Sequence, residues 1–509
     1  MGLEVCRSRV TLPVDAENYA PYNPSMRNWR KILFALAILL VLAIPAMADD
    51  LAGMAGEDNL GDIYAMDGEE RVKLDDAQIL TLANSLLKDG KVDEAEPLFN
   101  KLLRSRDRDV RIESAFNLGM IAQVRQDYRR AIRYFLRILG HYPDLMRVRL
   151  ELARAYFMVG NFAEATFHFQ FVIGDRNIDP SVRETVAEFL NLSRRQRNWS
   201  AHFSFGIAPD SNMNAASGRT EQCIMTLFGD LCADTPGRKS GIGFRTTMGA
   251  SNYTRITKNW GVRTTGLYSG TFYENRIFED QFGMFAVGPR FIFDGGEISM
   301  QPLINRRMLS GKPWSMGTGV RTELAIDAMA PWFVSVASNS VKNKFDDPMF
   351  EFAYAGWSHD LTITPRYMLS NRSFVSMDFG FGRDELHSRV FSNKSGTIGA
   401  GYFQEFDWGF GIGLNYALTY VMFDEAELYY PQAPEDIKDG EYCFIGITLA
   451  CERLRREHIQ LATVSLNSNT INFYGIFPSL RYIWSNRDSN IPHYNFERHR
   501  VELLGTYRF

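Results

Sequence analysis

Apart from Cys6 near the N-terminus, four cysteines are the side chains of this sequence best suited to covalent chemistry. Cys223 and Cys232 have eight residues between them, and Cys443 and Cys451 have seven. Each pair falls within one predicted loop, and neither shows the CxxC spacing typical of a metal site. We therefore favour pairing within each loop, Cys223 with Cys232 and Cys443 with Cys451, over the two other connectivities and over free thiols, as expected in an oxidising compartment.

Other residue types with catalytic potential are scattered along the chain. His493 and His499 come nearest to a histidine pair, and they lack carboxylate or cysteine partners at ligand spacing. The Gly-x-Gly runs, such as 409–413, do not open a helix after a buried strand, as a dinucleotide-binding loop requires. We find no nucleophile elbow, phosphate loop or paired-carboxylate motif. The sequence thus predicts no catalytic residue, no metal and no cofactor.

The composition of the 509 residues narrows the class of protein. A net charge of -4 leaves no basic excess for nucleic acid. Aromatic residues make up 13% of the chain, whereas a mean hydropathy of -0.21 excludes a protein of many membrane-spanning helices. A transmembrane β-barrel satisfies both observations, because only every second residue of its strands must be apolar.

Apolar and polar side chains alternate from Trp199 to the C-terminus, in segments separated by polar turns. Within 410–420, for example, every even-numbered residue is apolar. The pattern gives 15 candidate strands. The doubtful region is 350–369, where two short candidates are either one long strand or a loop followed by one strand. An even number is required because the preceding helices and the C-terminus belong on the same side. We predict an antiparallel transmembrane β-barrel of about 14 strands over 199–509.

The last strand of this predicted barrel ends on aromatic residues. Tyr507 and Phe509 lie on its apolar face, opposite Glu502, Thr506 and Arg508. Such an ending resembles the C-terminal signal by which bacterial outer-membrane barrels are recognised for assembly. The resemblance implies the barrel-assembly machinery as a partner.

Residues 75–198 show a helical period and an internal repeat. Similar segments at 90–95, 126–131 and 160–165 are offset by 36 and then 34 residues. Each ends in an alanine, with a phenylalanine four residues later and a small residue twelve residues earlier: Ala95, Ala131 and Ala165; Phe99, Phe135 and Phe169; Ala83, Gly119 and Ala153. The pattern resembles the tetratricopeptide repeat, in which small residues let antiparallel helices approach. We predict an N-terminal all-α solenoid, capped by a helix over 182–195.

Repeats of this kind bind peptides or proteins on a concave face, which the first helix of each repeat supplies. Packing between helices is the alternative for the apolar residues of that face, and a solvated surface is the alternative for its arginines. The candidate client-binding residues are Asn84, Leu87, Phe116, Met120, Gln123, Arg147, Leu150, Arg154 and Phe157.

Three arginines stand between the helices and the first barrel strand, at Arg194, Arg195 and Arg197. With Trp199 they are typical of an anchor at the membrane interface, where cations meet lipid phosphates. Basic residues at a helix C-terminus also balance its dipole, and that explanation stays open.

The N-terminal residues indicate export. Basic residues at 27–31 precede an apolar run, 32–44, and Ala46-Met47-Ala48 offers small residues to a signal peptidase. We predict a misassigned upstream start over 1–25, a signal peptide over 26–48 and a flexible acidic leader over 49–74. An uncleaved anchor is the alternative. The helical domain, 75–198, is then expected in the periplasm and the barrel, 199–509, in the bacterial outer membrane.

One stretch carries a family resemblance. Gly206 to Ala216 contains Asp210, Asn212 and Asn214 and is similar to the Asp-x-Asn-x-Asn pattern of the surface lipoprotein assembly modulators, the outer-membrane translocons of type XI secretion. In that family, as here, helical repeats directly precede a barrel. The resemblance implies a protein client, a surface lipoprotein or a soluble haem-binding-type protein. The repeats would engage this client, and the barrel would pass it from periplasm to cell surface.

The predicted partners are this client, outer-membrane lipids and the barrel-assembly machinery, with periplasmic chaperones as a further candidate and no nucleic acid. The residues alone leave other functions open. These are a polysaccharide-export porin with a helical scaffold, a passive solute porin and an enzyme with its catalytic side chains on the barrel wall.

Overall fold

The structure is a computed structural model. It describes residues 61–67, 70–175, 177–217, 221–226, 229–234, 237–329, 331–407, 409–431, 437, 442–445, 449–468 and 476–508. The predicted upstream start and signal peptide, 1–48, and the terminal Phe509 lie outside the described residues.

The N-terminal domain is helical, as predicted. Within the described ranges its helices are α1 (Asp76–Lys88), α2 (Val92–Leu102), α3 (Arg108–Val124), α4 (Tyr128–His141), α5 (Met146–Met158), α6 (Phe162–Gly174) and α7 (Pro180–Gln196). Five of them begin after a side chain that accepts a hydrogen bond from the first turn: Asp75, Asp107, Asp127, Asn161 and Asp179. No helix in the described residues combines the length and apolar character needed to cross a bilayer.

The repeated small and aromatic residues form the interior of this domain. Each of the three alanines and three phenylalanines that define the repeat is 0% exposed. Gly119 shows why the position must be small, because a Cβ there would lie 2.5 Å from Cε1 of Phe135. The helices therefore pair as α1 with α2, α3 with α4 and α5 with α6, and α7 packs on the last pair.

The described end of the acidic leader has a defined structure, in contrast to the expected flexibility. β1 (Tyr64–Asp67) and β2 (Glu70–Lys73) form an antiparallel hairpin. The Leu74 N–H donates to the Ile63 carbonyl at 2.8 Å, and both side chains pack against the helical core. These two apolar residues hold the segment in place, although its overall composition is polar.

The C-terminal domain is a closed antiparallel barrel. Its 14 strands in the described residues are β3 (Trp199–Asp210), β6 (Gly241–Arg255), β7 (Trp260–Tyr273), β8 (Asp280–Phe293), β9 (Gly296–Leu309), β10 (Lys312–Met329), β11 (Trp332–Phe345), β12 (Gly356–Ser370), β13 (Ser373–Leu386), β14 (Asn393–Phe406), β15 (Phe410–Tyr429), β17 (Leu449–Ser468), β18 (Ile476–Ser489) and β19 (Phe496–Arg508). β15 pairs with β17, and β19 pairs with β3, so no strand of the ring is left as an edge. The predicted strand number is confirmed.

Two short hairpins lie outside this ring of strands. β4 (Glu221–Thr226) pairs with β5 (Gly229–Asp234) in a separate sheet. β16 (Tyr442–Ile445) pairs with the beginning of β17. Both hairpins belong to connections that carry the cysteine pairs.

Side chains alternate between the two faces of the barrel wall. On β13, Met377 and Phe381 are 47% and 60% exposed on the outer face, whereas Asp378 on the inner face accepts a hydrogen bond from Thr364 of β12. Trp260 and Trp332, each at the start of its strand, are about half exposed. Outward apolar side chains with tryptophans at the strand ends are typical of a wall surrounded by lipid.

The two ends of the barrel differ. At one end, which we call the turn rim, short turns at 256–259, 294–295 and 371–372 join successive strands. At the same end β11 begins three residues after β10 ends, and β15 begins four residues after β14 ends. Most connections at the opposite end are longer, although Ser310 and Gly311 alone join β9 to β10. The doubtful region 350–369 contains the helix α8 (Pro348–Tyr354), which leads into the single strand β12. The helical domain enters the barrel at the turn rim, where β19 also ends.

Candidate functional site

The predicted client-binding residues lie on α1, α3 and α5, the first helices of the three repeats. The structure leaves all nine of them partly or fully exposed, with Arg147 and Arg154 the most open. The helical domain therefore presents a continuous mixture of apolar, amide and cationic side chains. The five apolar members are half-buried and also pack against the helical core, so each of them divides its surface between helix packing and solvent.

Contacts between successive repeats hold this face in shape. The Asn84 amide donates to Glu113 at 2.8 Å and accepts from Asn117 at 2.9 Å. The Arg147 guanidinium lies 5.3 Å from the centre of the Phe116 ring, a cation–π distance. Each contact joins neighbouring helices, so the surface is organised before any partner binds.

The helical domain packs directly on the turn rim through an aromatic cluster. Phe167 and Phe171 of α6 have ring centres 6.4 and 6.3 Å from that of Phe403 on β14. Phe403 in turn stacks on Phe374 of β13 at 5.2 Å. Phe374 and Phe403 lie on the inner face of the barrel, where the alternation leads one to expect polar residues. These lumenal aromatics are the sequence signal that could have revealed the contact.

A close approach of backbone fixes α6 against the barrel. A Cβ added at Gly174 would lie 2.3 Å from the Cβ of Met368 on β12. Met368 is only 1% exposed and belongs to the same apolar cluster as Phe333 of β11. The core of the helical domain thus continues without a break into the barrel wall. We call the contact between α6 and the inner faces of β11 to β14 the docking surface.

A buried ion pair lies at the edge of the docking surface. Arg149 of α5 donates to the Glu405 carboxylate at 2.5 Å and to the Pro143 carbonyl at 3.0 Å. The side chains of Arg149 and Glu405 are 1% and 8% exposed. Burial and the Arg149 charge lower the pKa of His168 well below its usual value. Neutral His168 therefore accepts from Arg149, 3.3 Å away at Nδ1.

The C-terminus of α7 is held by polar contacts to the turn rim. Arg194 pairs with Asp327 at the end of β10, and Arg195 pairs with Asp294 at 2.9 Å. Arg195 also donates to the Asn259 side chain at 3.0 Å. These two arginines bind barrel carboxylates, a role that the membrane-anchor and helix-dipole interpretations did not include. With the contact to Glu405, the domain touches the turn rim from the 256–259 turn to the end of β14.

Arginines on the lumen wall are paired with carboxylates of the same wall. Glu502 of β19 is 0% exposed and lies 3.0 Å from Arg500, 3.3 Å from Arg245 and 3.4 Å from Arg481. Such pairs on the inner faces of neighbouring strands make a polar interior, in contrast to the apolar outer face. The barrel therefore encloses a surface that favours hydrated or polar material.

The family-motif residues form a clasp where the first and last strands meet. Asp210 is 0% exposed, and its carboxylate accepts from Arg498 Nε at 2.9 Å and from the Tyr273 hydroxyl at 3.1 Å. Asn212 donates to the Glu497 carbonyl at 3.0 Å and binds both backbone groups of Ala216. Asn214 bridges the chain across the loop by donating to the Gly237 carbonyl and accepting from the Lys239 N–H. The motif closes the seam between β3 and β19.

The remaining predicted residues are Tyr507 of the last strand and the two cysteine pairs. Tyr507 pairs in register with Ile476 of β18 and with Phe203 of β3. The structure joins Cys443 to Cys451 by a disulfide. Cys232 is also disulfide-bonded, and its backbone pairs in register with that of Cys223.

Comparison with known families divides the chain in the same two parts. Residues 199–507, more than half of the chain, match the family model described as surface lipoprotein assembly modifier. Residues 116–166 match a tetratricopeptide repeat model. The second match runs from the middle of α3 to the beginning of α6 and includes seven of the nine candidate client-binding residues.

Individual relatives are similar at low sequence identity. A surface lipoprotein assembly modifier 1 of Haemophilus influenzae is 20% identical over 390 residues, which are 74% of this chain and 74% of the relative. A protein of Pasteurella multocida named surface lipoprotein assembly modifier is 16% identical over 77% of this chain and 75% of its own length. Among solved structures, a bacterial polysaccharide outer membrane secretin is 11% identical, covers 61% of this chain and 98% of its own, and has a TM-score of 0.32, too low to inform function.

Proposed function

This chain belongs to the surface lipoprotein assembly modifier family, and on that premise we propose that it is the translocon through which one protein client passes from the periplasm to the cell surface. The family consists of lipoprotein assembly factors and is not a class of enzymes. The barrel lies in the outer membrane. The client is a surface lipoprotein or a soluble haem-binding-type protein, which the helical repeats engage before it enters the lumen.

The observation that supports this proposal most strongly is the docking surface. A repeat domain of a protein-binding type is fixed on one rim of a polar barrel by a shared apolar core and by the Arg149–Glu405 pair. A passive solute porin has no use for such a domain. A client bound to the exposed helices is already beside the lumen. Its entry into the barrel therefore needs no separate diffusion step.

The chemistry of the exposed face indicates what part of a client it holds. Phe116, Met120, Leu150 and Phe157 offer apolar contact, and Arg147 adds a cation over the Phe116 ring. A segment with apolar and acidic side chains fits this mixture. Solenoid repeats present an extended concave surface, along which such a segment of the client would lie.

The even number of strands supports an orientation in which the helical domain and the C-terminus share one side of the membrane. The helical domain and the end of β19 lie at the turn rim, which we place in the periplasm, and α8 at the opposite end faces the outside. Outer-membrane lipids surround the aromatic outer wall. The barrel-assembly machinery inserts it by its C-terminal strand, and periplasmic chaperones deliver the client.

Two cysteine substitutions test this orientation. Val124 on α3 and Met349 on α8 are 72% and 78% exposed, so either position can react with a membrane-impermeant maleimide. We expect Met349→Cys to be labelled on intact cells and Val124→Cys only after the outer membrane is permeabilised. Labelling of Val124→Cys on intact cells would reverse the assigned orientation.

A charge reversal tests the client-binding face. In the variant Arg147→Glu with Arg154→Glu, we expect a surface lipoprotein to be retained inside the cell, measured by surface biotinylation. The matched control is Arg129→Glu with Arg133→Glu, which changes the same charge on the exposed side of α4. Equal surface display in both variants, together with passage of polysaccharide or small solutes, would favour the porin alternatives.

A further inference from the structure

A cavity of about 190 Å³ lies between the helical domain and the inner wall of the barrel. α6 and α7 form one side of it, and the strands β8 to β12 form the other. Such a volume holds many times the single water that a small polar cavity admits. The cavity is therefore large enough for a small ligand with part of its hydration shell.

The charged groups that line the cavity are not balanced. Four arginines line it, Arg194 and Arg197 from α7 and its C-terminus, and Arg290 and Arg366 from the barrel, together with Glu297 and Asp327. Asp327 pairs with Arg194, and Glu297 pairs with Arg290. Arg197 and Arg366 have no carboxylate within ion-pair distance among the residues that the structure describes. Four guanidiniums and two carboxylates leave two uncompensated positive charges.

Of the two excess arginines, Arg366 is only partly exposed, whereas Arg197 is exposed to solvent at the mouth of the cavity. Arg366 lies 4.7 Å from the centre of the Phe374 ring, which is a weak interaction for a full charge. Arg197 follows the last turn of α7, where the helix dipole supplies only about half a negative charge. Two guanidiniums in one partly enclosed space therefore favour an anion between them.

Hydrogen-bond donors in the cavity also lack acceptors. The Nε atoms of Arg290 and Arg366 are buried and have no hydrogen-bond partner in the described part of the chain. Arg290 is only 4% exposed, so solvent does not satisfy this atom easily. Thr166 and Gln170 of α6 add neutral polar groups to the same lining. An oxyanion with several acceptor oxygens matches this set of donors.

From the surplus of guanidinium donors in this cavity we infer that it is a binding site for a phosphoryl group, supplied by free phosphate or by a phospholipid headgroup. Guanidinium groups bind the oxygens of phosphate through paired N–H donors, and two excess positive charges match a doubly charged phosphate. The arginines come from both domains, so the bound group bridges α7 and the barrel wall. This role goes beyond the translocation of a client.

The test uses the purified full-length chain in a non-ionic detergent, with sodium phosphate as the probe and sodium chloride at equal ionic strength as the reference. Phosphate is expected to bind measurably by calorimetry and to raise the unfolding temperature of the helices. The variants Arg366→Gln and Arg197→Gln should each bind roughly tenfold or more weakly. They should fold, because no carboxylate loses its partner. Arg106→Gln, an exposed arginine on the α2–α3 connection, is the control with the same change of charge.

A parallel titration with a short-chain phosphatidylglycerol distinguishes the two sources. Binding of phosphate alone, or of both probes, in an Arg366-dependent manner assigns the site to the phosphoryl group itself. Binding of the lipid alone, lost in the same variants, assigns it to a headgroup. The inference is overturned if neither probe binds, or if the Arg366→Gln and Arg106→Gln proteins bind equally well.

Discussion

Arg149 of α5 and Glu405 of β14, which are 256 residues apart in the sequence, form an ion pair that is almost completely buried where the helical domain meets the barrel. Each charge is costly to bury alone, so each requires the other. The pair therefore helps to fix the helical domain at the turn rim in the folded chain. The predictions below follow from this attachment and from the seam of the barrel.

Removing one partner of the buried pair should loosen the helical domain. Arg149→Ala removes the paired guanidinium from the almost completely buried Glu405 carboxylate, at a cost of about 3–5 kcal/mol. The helical transition, followed by circular dichroism at 222 nm, should shift to lower temperature. The heat-induced mobility change of the barrel on gels should not move. Arg372→Ala is the control, since its pair with Asp144 is largely exposed and contributes at most about 1 kcal/mol. Equal shifts in the two variants would contradict the attachment.

Adding one methyl group at the docking surface should have a similar effect. In Gly174→Ala the new Cβ meets the Cβ of buried Met368, and such overpacking costs about 1–3 kcal/mol. Protease is then expected to cut between the helical domain and the barrel faster than in the unaltered protein. Gly266→Ala on β7, where a Cβ meets nothing within 4 Å, should leave the cleavage rate unchanged. A cleavage rate equal to that of the control would mean that α6 does not rest on β12.

Acid should destabilise the helical domain through His168. Burial and the neighbouring Arg149 charge lower the pKa of His168 in the folded protein, whereas the unfolded chain takes up a proton near pH 6.5. Below that pH the unfolded state binds more protons, so this contribution to stability is lost as the pH falls. The unfolding temperature of the helices should decrease between pH 7 and pH 5, and His168→Gln should decrease less steeply. Parallel pH profiles for the two proteins would show that His168 is not buried beside Arg149.

Loss of the Asp210 charge should weaken the barrel seam. In Asp210→Asn the Arg498 guanidinium loses its bidentate acceptor in a site where Asp210 is fully buried, at a cost of about 3–5 kcal/mol. The temperature at which the folded gel band disappears should fall. Asp280→Asn, whose partner Arg307 is about half exposed, should change it little. If both variants melt at the temperature of the unaltered protein, the motif has a role other than closing the seam.

The fold of each domain was predictable from the sequence, because its apolar side chains recur with a short, regular period. Alternation along the strands and the repeated alanine and phenylalanine positions are set by neighbours a few residues away, and both predictions were confirmed. The region 350–369 was ambiguous because the short helix α8 ends one residue before β12 begins. The hairpin β1–β2 was missed because its two anchoring residues, Ile63 and Leu74, stand in an otherwise polar segment.

The docking surface was not predictable in the same way. Arg149 looked like any other charged residue of an amphipathic helix, and Glu405 looked like a polar residue facing water in the lumen. Their pairing depends on how two domains meet, which no local period encodes. The aromatic residues Phe374 and Phe403 on the inner face were the visible departure from the pattern. The exposed face of the repeats was predicted from the family pattern, but its client is determined by contacts outside this chain.

The most direct test of the proposed translocon is the surface labelling of lipoproteins in intact cells with and without this protein. Cells that lack the chain should still contain at least one lipoprotein at normal abundance, but that lipoprotein should no longer be biotinylated from outside. Re-expression of the unaltered chain should restore the labelling. If every lipoprotein is labelled to the same extent in both strains, the protein does not carry a client to the cell surface.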